Sequence, residues 1–405
     1  MLHALRINWQ LFIGIFLLMM GNGLLATLLT VRATELGFSQ TVIGAVQACY
    51  PIGALVSAFL APKLVERIGH VRTFGVLAST ASVAAVVHLL TADPYSWGLM
   101  RLLGGFCFSG LYVVCESWLN ARAENTSRGK LLSIYFVAQI VGSSAGQLLV
   151  GIPDPSGLML FGVVSILISI ALVPMLISVQ PAPEFEAPDR LSIRELFRIS
   201  PMAVTGSALN GMGQSLLYIS TPVYALAIGY TGAEAGLLLT TATMAGALSQ
   251  FPLGWLSDRM DRRYVVALSG AVSCIGCLAI AGGFVAGYLH ATVALIAAFT
   301  FPVYSICVAH ANDKLKPSQI VPASGALVLS IYIGILTGAF SGPAIIDAMG
   351  PQALYGLLAA VQGTTFLIAL FRRMRRDAPE ETGAAPALTY QVSPVAARLN
   401  PDARE

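Results

Sequence analysis

The stretch Gly254-Trp-Leu-Ser-Asp258-Arg259-Met-Asp261-Arg262-Arg263 decides the organisation of this chain, because a similar stretch lies 192 residues earlier. The earlier stretch is Pro62-Lys-Leu-Val-Glu66-Arg67-Ile-Gly69-His70-Val-Arg72. Both place an acid beside an arginine in a short polar loop between two apolar runs. The same shift, without a gap, places Gly21 on Gly213, Asn22 on Gln214, Gly37 on Gly229 and Gly44 on Gly236. The sequence therefore predicts a duplicated chain with two similar halves.

The rest of the chain consists largely of long apolar runs. Hydrophobic residues make up 56% of the 405 residues and charged residues only 11%, whereas soluble domains carry about 25% charged residues. So few charges cannot cover a soluble protein, and the surrounding medium is expected to be lipid. Each run has roughly 20 residues or more, which is enough for one transmembrane helix. The predicted helices are Ile7–Val31, Thr41–Ala61, Thr73–Thr91, Tyr95–Asn120, Leu131–Ile152, Gly157–Val179, Met202–Ile228, Ala233–Trp255, Tyr264–Ala286, His290–His310, Ser318–Ile346 and Gln352–Phe371.

The helix count and the repeat together predict the fold class. We expect an all-α membrane protein whose twelve transmembrane helices form two pseudo-symmetric six-helix bundles, with a substrate site at the midplane between them. Residues 1–180 are expected to form the first bundle and residues 201–376 the second. Residues 181–200 are expected to be a cytoplasmic linker, in which Ser192 and Glu195 offer the N-cap of a short amphipathic helix. Residues 377–405 are expected to be a disordered cytoplasmic tail.

The placement of positive charge predicts the orientation in the membrane. All but Arg32 and Arg101 of the 23 basic residues lie at the two chain ends or in the loops after even-numbered predicted helices. Basic residues concentrate on the cytoplasmic side of membrane proteins. Both termini are therefore expected to be cytoplasmic, in a multi-pass protein of a bacterial inner membrane. The opposite loops contain Glu35, Asp93, Asp154, Glu234 and Asp347.

The repeated loops resemble motif A of the major facilitator superfamily, G-x-L-x-D-R-x-G-R-R. The second copy, Gly254–Arg263, departs from the motif only at Asp261, where the motif has glycine. The first copy, Pro62–Arg72, keeps Gly69 but replaces the first glycine by Pro62 and the aspartate by Glu66. The resemblance covers nearly the whole chain except the tail. It implies a secondary transporter with the fold of that superfamily.

Two further stretches refine the resemblance. Arg101-Leu-Leu-Gly104-Gly105 is similar to motif B, R-x-x-x-G. The segments Arg101–Val150 and Tyr304–Gly342 resemble the YcaD-type branch of the superfamily, which implies no settled substrate. The drug-antiporter motif G-x-x-x-G-P is incomplete, because Gly142-Ser-Ser-Ala-Gly146 is followed by Gln147. This departure speaks against a drug antiporter without excluding one.

The motif A residues are candidates for a cytoplasmic gate. An acid beside arginines at the inner end of a helix can form ion pairs between the two halves. Such pairs would hold the inner gate shut and break on opening, at about 1 kcal/mol each when exposed. The alternative is a solvated turn that carries the usual cytoplasmic charges. The candidate gating residues are Glu66, Arg67, Gly69, Arg72, Gly254, Asp258, Arg259, Arg262 and Arg263.

Arg101 and Glu116 are ionisable residues within the fourth predicted helix. They lie about 22 Å apart along the helix axis and within about 60° around it. Ionisable groups at membrane depth usually face a cavity or a partner. Arg101 could bind an anionic substrate or assist a proton-carrying acid, or it could extend to lipid headgroups. Glu116 could carry a proton, or it could pair with Arg67 or Arg128 in the gate.

Polar residues midway along the predicted helices are candidates for the substrate cavity. A single asparagine or glutamine in a membrane helix can instead join helices by hydrogen bonds. The repeat favours Asn22 and Gln214, because it places them at equivalent positions. The candidates are Asn22, Gln47, Tyr50, Tyr112, Gln139, Asn210, Gln214, Tyr218, Tyr304 and Tyr332.

Several function classes compete. We expect a proton-coupled secondary transporter for a small organic solute, acting as a monomer in the lipid bilayer. An uncoupled facilitator and a non-transporting receptor or sensor are the alternatives. No metal and no cofactor are expected, since neither a zinc motif nor a P-loop occurs in the sequence. Its five histidines offer no evident catalytic set, so no enzyme is expected, and no long basic run suggests nucleic acid.

Overall fold

A computed structural model describes residues 2–122, 128–154, 156–176, 191–285 and 287–375, and its regular elements in these ranges are all α-helices. The all-α prediction is therefore confirmed. The helices are α1 Leu2–Glu35, α2 Gln40–Ile68, α3 His70–Leu90, α4 Pro94–Arg122, α5 Arg128–Leu149, α6 Met159–Leu176, α7 Ile193–Ile199, α8 Pro201–Tyr218, α9 Ser220–Ala227, α10 Gly232–Arg259, α11 Arg262–Ala281, α12 Leu289–Thr300, α13 Val303–Asn312, α14 Pro317–Met349 and α15 Gln352–Arg375.

Two of the predicted membrane helices are interrupted. The seventh divides into α8 and α9 at Ile219, and the tenth divides into α12 and α13 at Phe301 and Pro302. A proline has no N–H to bond the carbonyl four residues earlier. Pro222 therefore cannot close the turn at the end of α8, and Pro302 weakens the junction of α12 and α13. When each interrupted pair is counted once and α7 is set apart, the described helices follow the twelve predicted segments.

The described helices include eight that are long and apolar enough to cross a membrane. They are α1 to α4, α11, the combined α12–α13 segment, α14 and α15. Length and composition alone define this set. They agree with the predicted class of a multi-pass helical membrane protein.

The chain divides into two compact units. The first contains Met1–Pro188 and Tyr230–Thr240, and the second contains Asp189–Gly229 and Thr241–Glu405. In the first unit, α1 and α5 approach so closely that a Cβ added at Gly23 would lie 2.2 Å from the Ser143 carbonyl oxygen. In the second unit, a Cβ added at Gly334 of α14 would lie 1.8 Å from the Ala208 carbonyl oxygen of α8. Each unit thus contains at least one helix pair whose contact requires glycine.

The short helix predicted in the linker is confirmed as α7. Ser192 and Glu195 form a reciprocal capping box at its start. Hydrogen bonds from Ser192 hold the pKa of Glu195 below its usual range. Leu196 is fully buried beside Ala203, Ala311 and other apolar residues of the second unit. The rest of the linker up to residue 190 and the predicted tail lie outside the described residues.

Candidate functional site

The second copy of the repeated motif contains a buried ion pair. Arg262 is the first residue of α11, and its Nε donates to Asp313 Oδ2 at 2.8 Å, at the end of α13. The two side chains are only 2% and 3% exposed. Arg262 Nη1 also donates to Asp258 Oδ1 at 3.1 Å. One guanidinium thus joins the end of α10, the start of α11 and the end of α13 within the second unit.

Asp261, where the second copy departs from the motif, has its own structural role. It is the N-cap of α11 and accepts the Arg263 backbone N–H at 2.9 Å. Arg263 also donates to it through Nε and, at 2.7 Å, through Nη2. Partial burial alone would raise the pKa of Asp261, but these bonds and the arginine charge hold the pKa below its usual range. Its stabilising effect is therefore present at neutral pH and is lost as the pH falls.

Among the remaining residues of the second copy, Arg259 lies at the surface and Arg263 is buried. The Arg259 guanidinium carbon lies 4.0 Å from the ring centre of Trp255, and both side chains are exposed. Arg263 Nη1 donates to the Arg372 carbonyl at 3.1 Å, near the end of α15. A Cβ added at Gly254 would meet no atom within 4 Å, so no close helix approach requires this glycine.

The first copy of the motif is arranged differently. Glu66, Arg67 and Arg72 are exposed, and the ion pairs found among the described residues involve none of them. Gly69 separates α2 from α3 with a φ of +80°, a conformation that favours glycine. His70, the first residue of α3, is buried and lies 2.9 Å through Nε2 from Ser117 Oγ of α4. Sequence reasoning did not select His70, although the repeat shift places it on Arg262.

Three of the predicted site residues meet within the first unit. Arg101 of α4 is 5% exposed, and its guanidinium carbon lies 4.5 Å from the ring centre of Tyr50 in α2. Asn22 Nδ2 of α1 lies 3.4 Å from the Tyr50 hydroxyl. The arrangement combines a desolvated cation, an aromatic face and an amide. Groups of these kinds can bind a carboxylate or a ring of a small solute.

Glu116 and Tyr112 lie further along α4. Glu116 is almost fully buried, and it is close enough to Tyr135 of α5 for its charge to act on that phenol. The Tyr112 hydroxyl donates to Met19 Sδ of α1 at 3.1 Å. A buried carboxyl group inside a bundle can hold or release a proton as its surroundings change.

Asn210 and Gln214 lie together at the interruption between α12 and α13. Asn210 Nδ2 donates to the Thr300 carbonyl at 2.6 Å. Gln214 Nε2 donates to Asn210 Oδ1 at 2.8 Å and to the Phe301 carbonyl at 3.4 Å. Gln362 Nε2 donates to Thr300 Oγ1 at 2.9 Å. Asn210 and Gln214 thus satisfy backbone carbonyls at a helix break, which Pro302 could have indicated in the sequence.

The other predicted cavity residues lie in separate places. Gln47 is buried and donates to the Ala26 carbonyl at 3.1 Å and to Thr30 Oγ1 at 3.0 Å. Gln139 is half-buried in α5, and Tyr218 is the half-buried last residue of α8. Tyr304 is buried in the apolar cluster around Leu196, and Tyr332 packs against that cluster.

Proteins of similar sequence are bacterial membrane transporters by name. The uncharacterized MFS-type transporter YE1530 of Yersinia enterocolitica is 24% identical over 362 residues, which cover 89% of this chain and 94% of that protein. The uncharacterized MFS-type transporter YcaD of Escherichia coli is 27% identical over 360 residues, which cover 88% of this chain and 93% of that protein. The resemblance to the YcaD-type branch is thus confirmed.

Solved transporter structures share the fold. The nucleoside transporter NupG superposes with a TM-score of 0.75 at 15% identity, over 91% of this chain and 100% of that one. The human organic anion transporter MFSD10 gives a TM-score of 0.64 at 16% identity, over 90% and 99%. The E. coli fucose:proton symporter FucP gives 0.58 at 16% identity, over 91% and 99%.

The family of the chain is shown by its match to the sequence pattern of the Major Facilitator Superfamily. That pattern matches residues 11–234 and, in a second match, residues 203–400. Together the two matches span nearly the whole chain, in agreement with the helical fold and the repeated motif. The protein therefore belongs to the Major Facilitator Superfamily and is a multi-pass membrane protein, and its relatives point to a transporter.

Proposed function

We propose that this protein is a proton-coupled secondary transporter of a small organic solute, working by alternating access in a bacterial inner membrane. Both termini face the cytoplasm in this proposal. The charged residues of the two motif copies act as its cytoplasmic gate, and the protein works as a monomer. The family membership supports secondary transport, and the coupling and the substrate class are argued from the first unit.

The observation that carries the proposal is the meeting of Arg101, Tyr50 and Asn22. A guanidinium buried at membrane depth is costly, so such groups usually mark a pathway for a substrate or a proton. Tyr50 offers an aromatic face under the cation, and Asn22 adds an amide. These groups suit a solute that combines a polar or anionic group with an apolar part.

Glu116 is the proposed carrier of the coupled proton. It lies on the same helix as Arg101 and is almost fully buried. Burial opposes the charged form of a carboxyl group, so a change of hydration during transport can take up or release a proton. A latch between Glu116 and cytoplasmic arginines is the alternative role for this residue.

The test begins with a thermal-shift screen of the purified protein against metabolites and antibiotics, because a ligand that binds the folded state raises the melting temperature. Hits are then added to proteoliposomes that contain a pH-sensitive dye. We expect solute addition to move protons, and an imposed pH gradient to drive solute uptake. Glu116→Gln is expected to lower the coupled flux at least about tenfold, since one proton-transfer group is lost.

Glu195→Gln is the matched control. Glu195 is exposed in α7, and glutamine can keep the same capping box, so flux should stay at the wild-type level. If flux ignores the pH gradient and Glu116→Gln transports like the wild type, proton coupling through Glu116 is wrong. Solute flux without any proton movement would instead favour the uncoupled facilitator, and ligand binding without flux would favour a receptor.

A further inference from the structure

We propose that the end of α15 and the start of α11 form a binding site for an anionic phospholipid, whose phosphate is bound by Arg373. Both helix ends belong to the second unit. The site is separate from the residues proposed to bind the solute and the proton, and it does not depend on them. It is argued from a run of arginines, a cation on an exposed ring and two exposed apolar stripes.

The C-terminal end of α15 is strongly basic. Arginines occupy four of the five positions from Arg372 to Arg376, directly after the apolar run of this helix. Clusters of basic residues next to a membrane helix attract anionic lipid headgroups. Arginine suits a phosphate well, because its planar guanidinium can donate two parallel hydrogen bonds. The sequence alone therefore gives this helix end the chemistry of a phosphate site.

Arg263 joins this helix end to the start of α11. Its Nη1 donates to the Arg372 carbonyl at 3.1 Å, and its Nη2 pairs with Asp261 Oδ2 at 2.7 Å. Asp261 also accepts the backbone N–H of Arg263. This carboxylate therefore balances the charge of Arg263, and the arginines of α15 remain as an excess of positive charge at the junction.

Arg373 lies over an exposed aromatic ring at the same junction. Its guanidinium carbon is 5.2 Å from the ring centre of Tyr264, which lies in the first turn of α11. Tyr264 is 37% exposed and Arg373 is exposed as well, and the ion pairs found among the described residues do not include Arg373. The ring attracts the cation through its face without using the N–H donors. The contact thus positions the guanidinium and leaves its donors available for a phosphate.

Two exposed apolar stripes lead to this pair. On α15, Leu367, Phe371 and Met374 share one helix face and are 62%, 44% and 71% exposed. On α11, Ile275 is 68% exposed and lies on the face of Tyr264. Exposed apolar surface of this kind marks a contact with a membrane or another protein.

The length of the stripe on α11 matches a lipid acyl chain. Tyr264 and Ile275 are separated by 11 residues, which correspond to about 16 Å along the helix axis. One leaflet provides about 15 Å of hydrocarbon, half of the core of the bilayer. A phospholipid whose phosphate lies at Arg373 can therefore cover the stripe with its acyl chains.

A second copy of this chain is the alternative occupant of the surface. Most homo-oligomers have twofold symmetry, so this face would meet the same face of the other copy. The two runs of arginines would then lie near each other at the same side of the membrane, and like charges repel. An anionic lipid instead brings the opposite charge, so the observations favour the lipid.

The first test is a native mass-spectrometry titration of the purified full-length protein with phosphatidylglycerol and with phosphatidylcholine of the same acyl chains. We expect phosphatidylglycerol to bind at least about fivefold more tightly, since only this lipid has a net negative charge. Arg373→Gln should weaken phosphatidylglycerol binding about fivefold and leave phosphatidylcholine binding unchanged. Equal affinities for the two lipids, or an unchanged affinity in Arg373→Gln, overturn the proposal. A dimer that forms without lipid and excludes it would assign the face to a second copy and also overturn the proposal.

Arg259→Gln is the matched control. Arg259 also lies over an exposed ring, that of Trp255, and its replacement removes the same charge. It stands between Asp258 and Asp261 in the sequence, whereas Arg373 stands in the run of arginines. Phosphatidylglycerol binding should therefore change less than about twofold. Equal losses in the two variants would indicate a general attraction to positive charge and overturn a site at Arg373.

Photo-crosslinking in lipid nanodiscs locates the bound lipid. Phosphatidylglycerol with a diazirine in its acyl chain should label peptides from residues 264–278 and 367–374, and Arg373→Gln should lower this yield. Labelling that avoids both segments overturns the proposal. A large excess of inorganic phosphate should not reduce the yield, because the acyl chains add apolar contacts. Complete competition by phosphate would assign the arginines to a soluble anion instead and overturn the lipid site.

These measurements need no transported solute. Absence of solute flux would refute the proposed function and leave the lipid site standing. Proton-coupled transport by a protein without lipid preference would refute this inference alone.

Discussion

Arg262 shows how a single buried residue can link several helices. Its side chain is 2% exposed and pairs with Asp313, which is 3% exposed, and with Asp258. A buried pair offers little net stability over an apolar pair, because both charges lose their hydration. Removing one partner is different, since the other charge is then left buried without compensation. Removing one partner should therefore lower the stability by more than the intact pair contributes to it.

Arg262→Gln is the prediction at the residue scale. We expect it to destabilise the second unit by about 3–5 kcal/mol, because Asp313 keeps a desolvated charge. The melting temperature in detergent should fall by roughly 6–20 °C. The double variant Arg262→Gln/Asp313→Asn should recover much of the loss, since no buried charge remains.

Arg32→Gln provides the control for that measurement. Arg32 pairs with Glu35 at the C-terminal end of α1, where the glutamate side chain is 52% exposed. An exposed pair contributes about 0–1 kcal/mol, so the melting temperature should hardly change. Equal losses for Arg32→Gln and Arg262→Gln would show that the burial of the Arg262 pair has no energetic consequence.

The sequence identified these residues as important, but it did not identify the residues with which they pair. Asp258 and Arg262 were selected from the motif, but no feature of the sequence pointed to Asp313 as the partner of Arg262. The partner lies 51 residues away in sequence, and no local pattern reports that distance. Asp261 likewise departed from the motif without revealing that it caps α11, because capping depends on where the helix begins.

At the scale of the helices, glycine determines how closely two helices pack. Gly334, Gly338 and Gly342 follow one face of α14, and Pro343 comes directly after them. This spacing of four residues is typical of close helix packing, and the structure contains such a contact. Cβ atoms added at Gly334 and Gly338 would lie 1.8 and 2.7 Å from backbone oxygens of α8, and one at Gly342 would lie 2.1 Å from the Ser220 hydroxyl of α9. The backbones of α8 and α14 could not approach so closely with larger residues.

Gly334→Ala is the prediction for this element. The added methyl group must push α14 away from α8, so we expect a loss of about 1–3 kcal/mol. Gly325→Ala is the control in the same helix, because a Cβ there meets no atom within 4 Å. That variant should be neutral or stabilise the protein by roughly 0.5–1 kcal/mol. Melting temperatures of the two variants measure the difference, and a more stable Gly334→Ala would contradict the close contact.

The interruptions of the helices were harder to predict. A run of apolar residues spans Met202–Ile228 without a break in hydropathy, yet the structure contains α8 and α9. The apolar run His290–His310 likewise has no break in hydropathy, yet the structure divides it into α12 and α13. Prolines within α2, α6, α10 and α14 are tolerated without an interruption. The outcome at Pro302 depends on Asn210, Gln214 and other side chains from distant helices, which a local pattern cannot supply.

The two halves of the whole molecule are similar in plan and different in chemistry. The repeat places α1 on α8 and α3 on α11, and each unit contains a glycine-dependent helix pair. The first unit nevertheless contains Arg101 on an aromatic ring, whereas the second contains an amide network at a helix break. The repeat could predict equivalent positions such as Asn22 and Gln214. It could not predict that their contacts would differ.

The orientation of the chain in the membrane is predicted from the distribution of its basic residues. Nearly all basic residues lie on one side of the predicted helices, and such residues are retained in the cytoplasm during insertion. Fusions in Escherichia coli test this directly. Green fluorescent protein after Glu405 should fluoresce, because it folds in the cytoplasm. Alkaline phosphatase after Ser156 should be active, because it folds only outside.

A paired set of fusions completes the topology experiment. Phosphatase fused after Ser192, in the linker, should be at least about tenfold less active than after Ser156, at equal expression, because the basic residues around it remain inside. Each site is also fused to green fluorescent protein, so that one reporter is active wherever the other is silent. Activity of phosphatase after Ser192, or a dark fusion after Glu405, would reverse the orientation. The motif copies would then lie outside the cell, and the proposed cytoplasmic gate would be wrong.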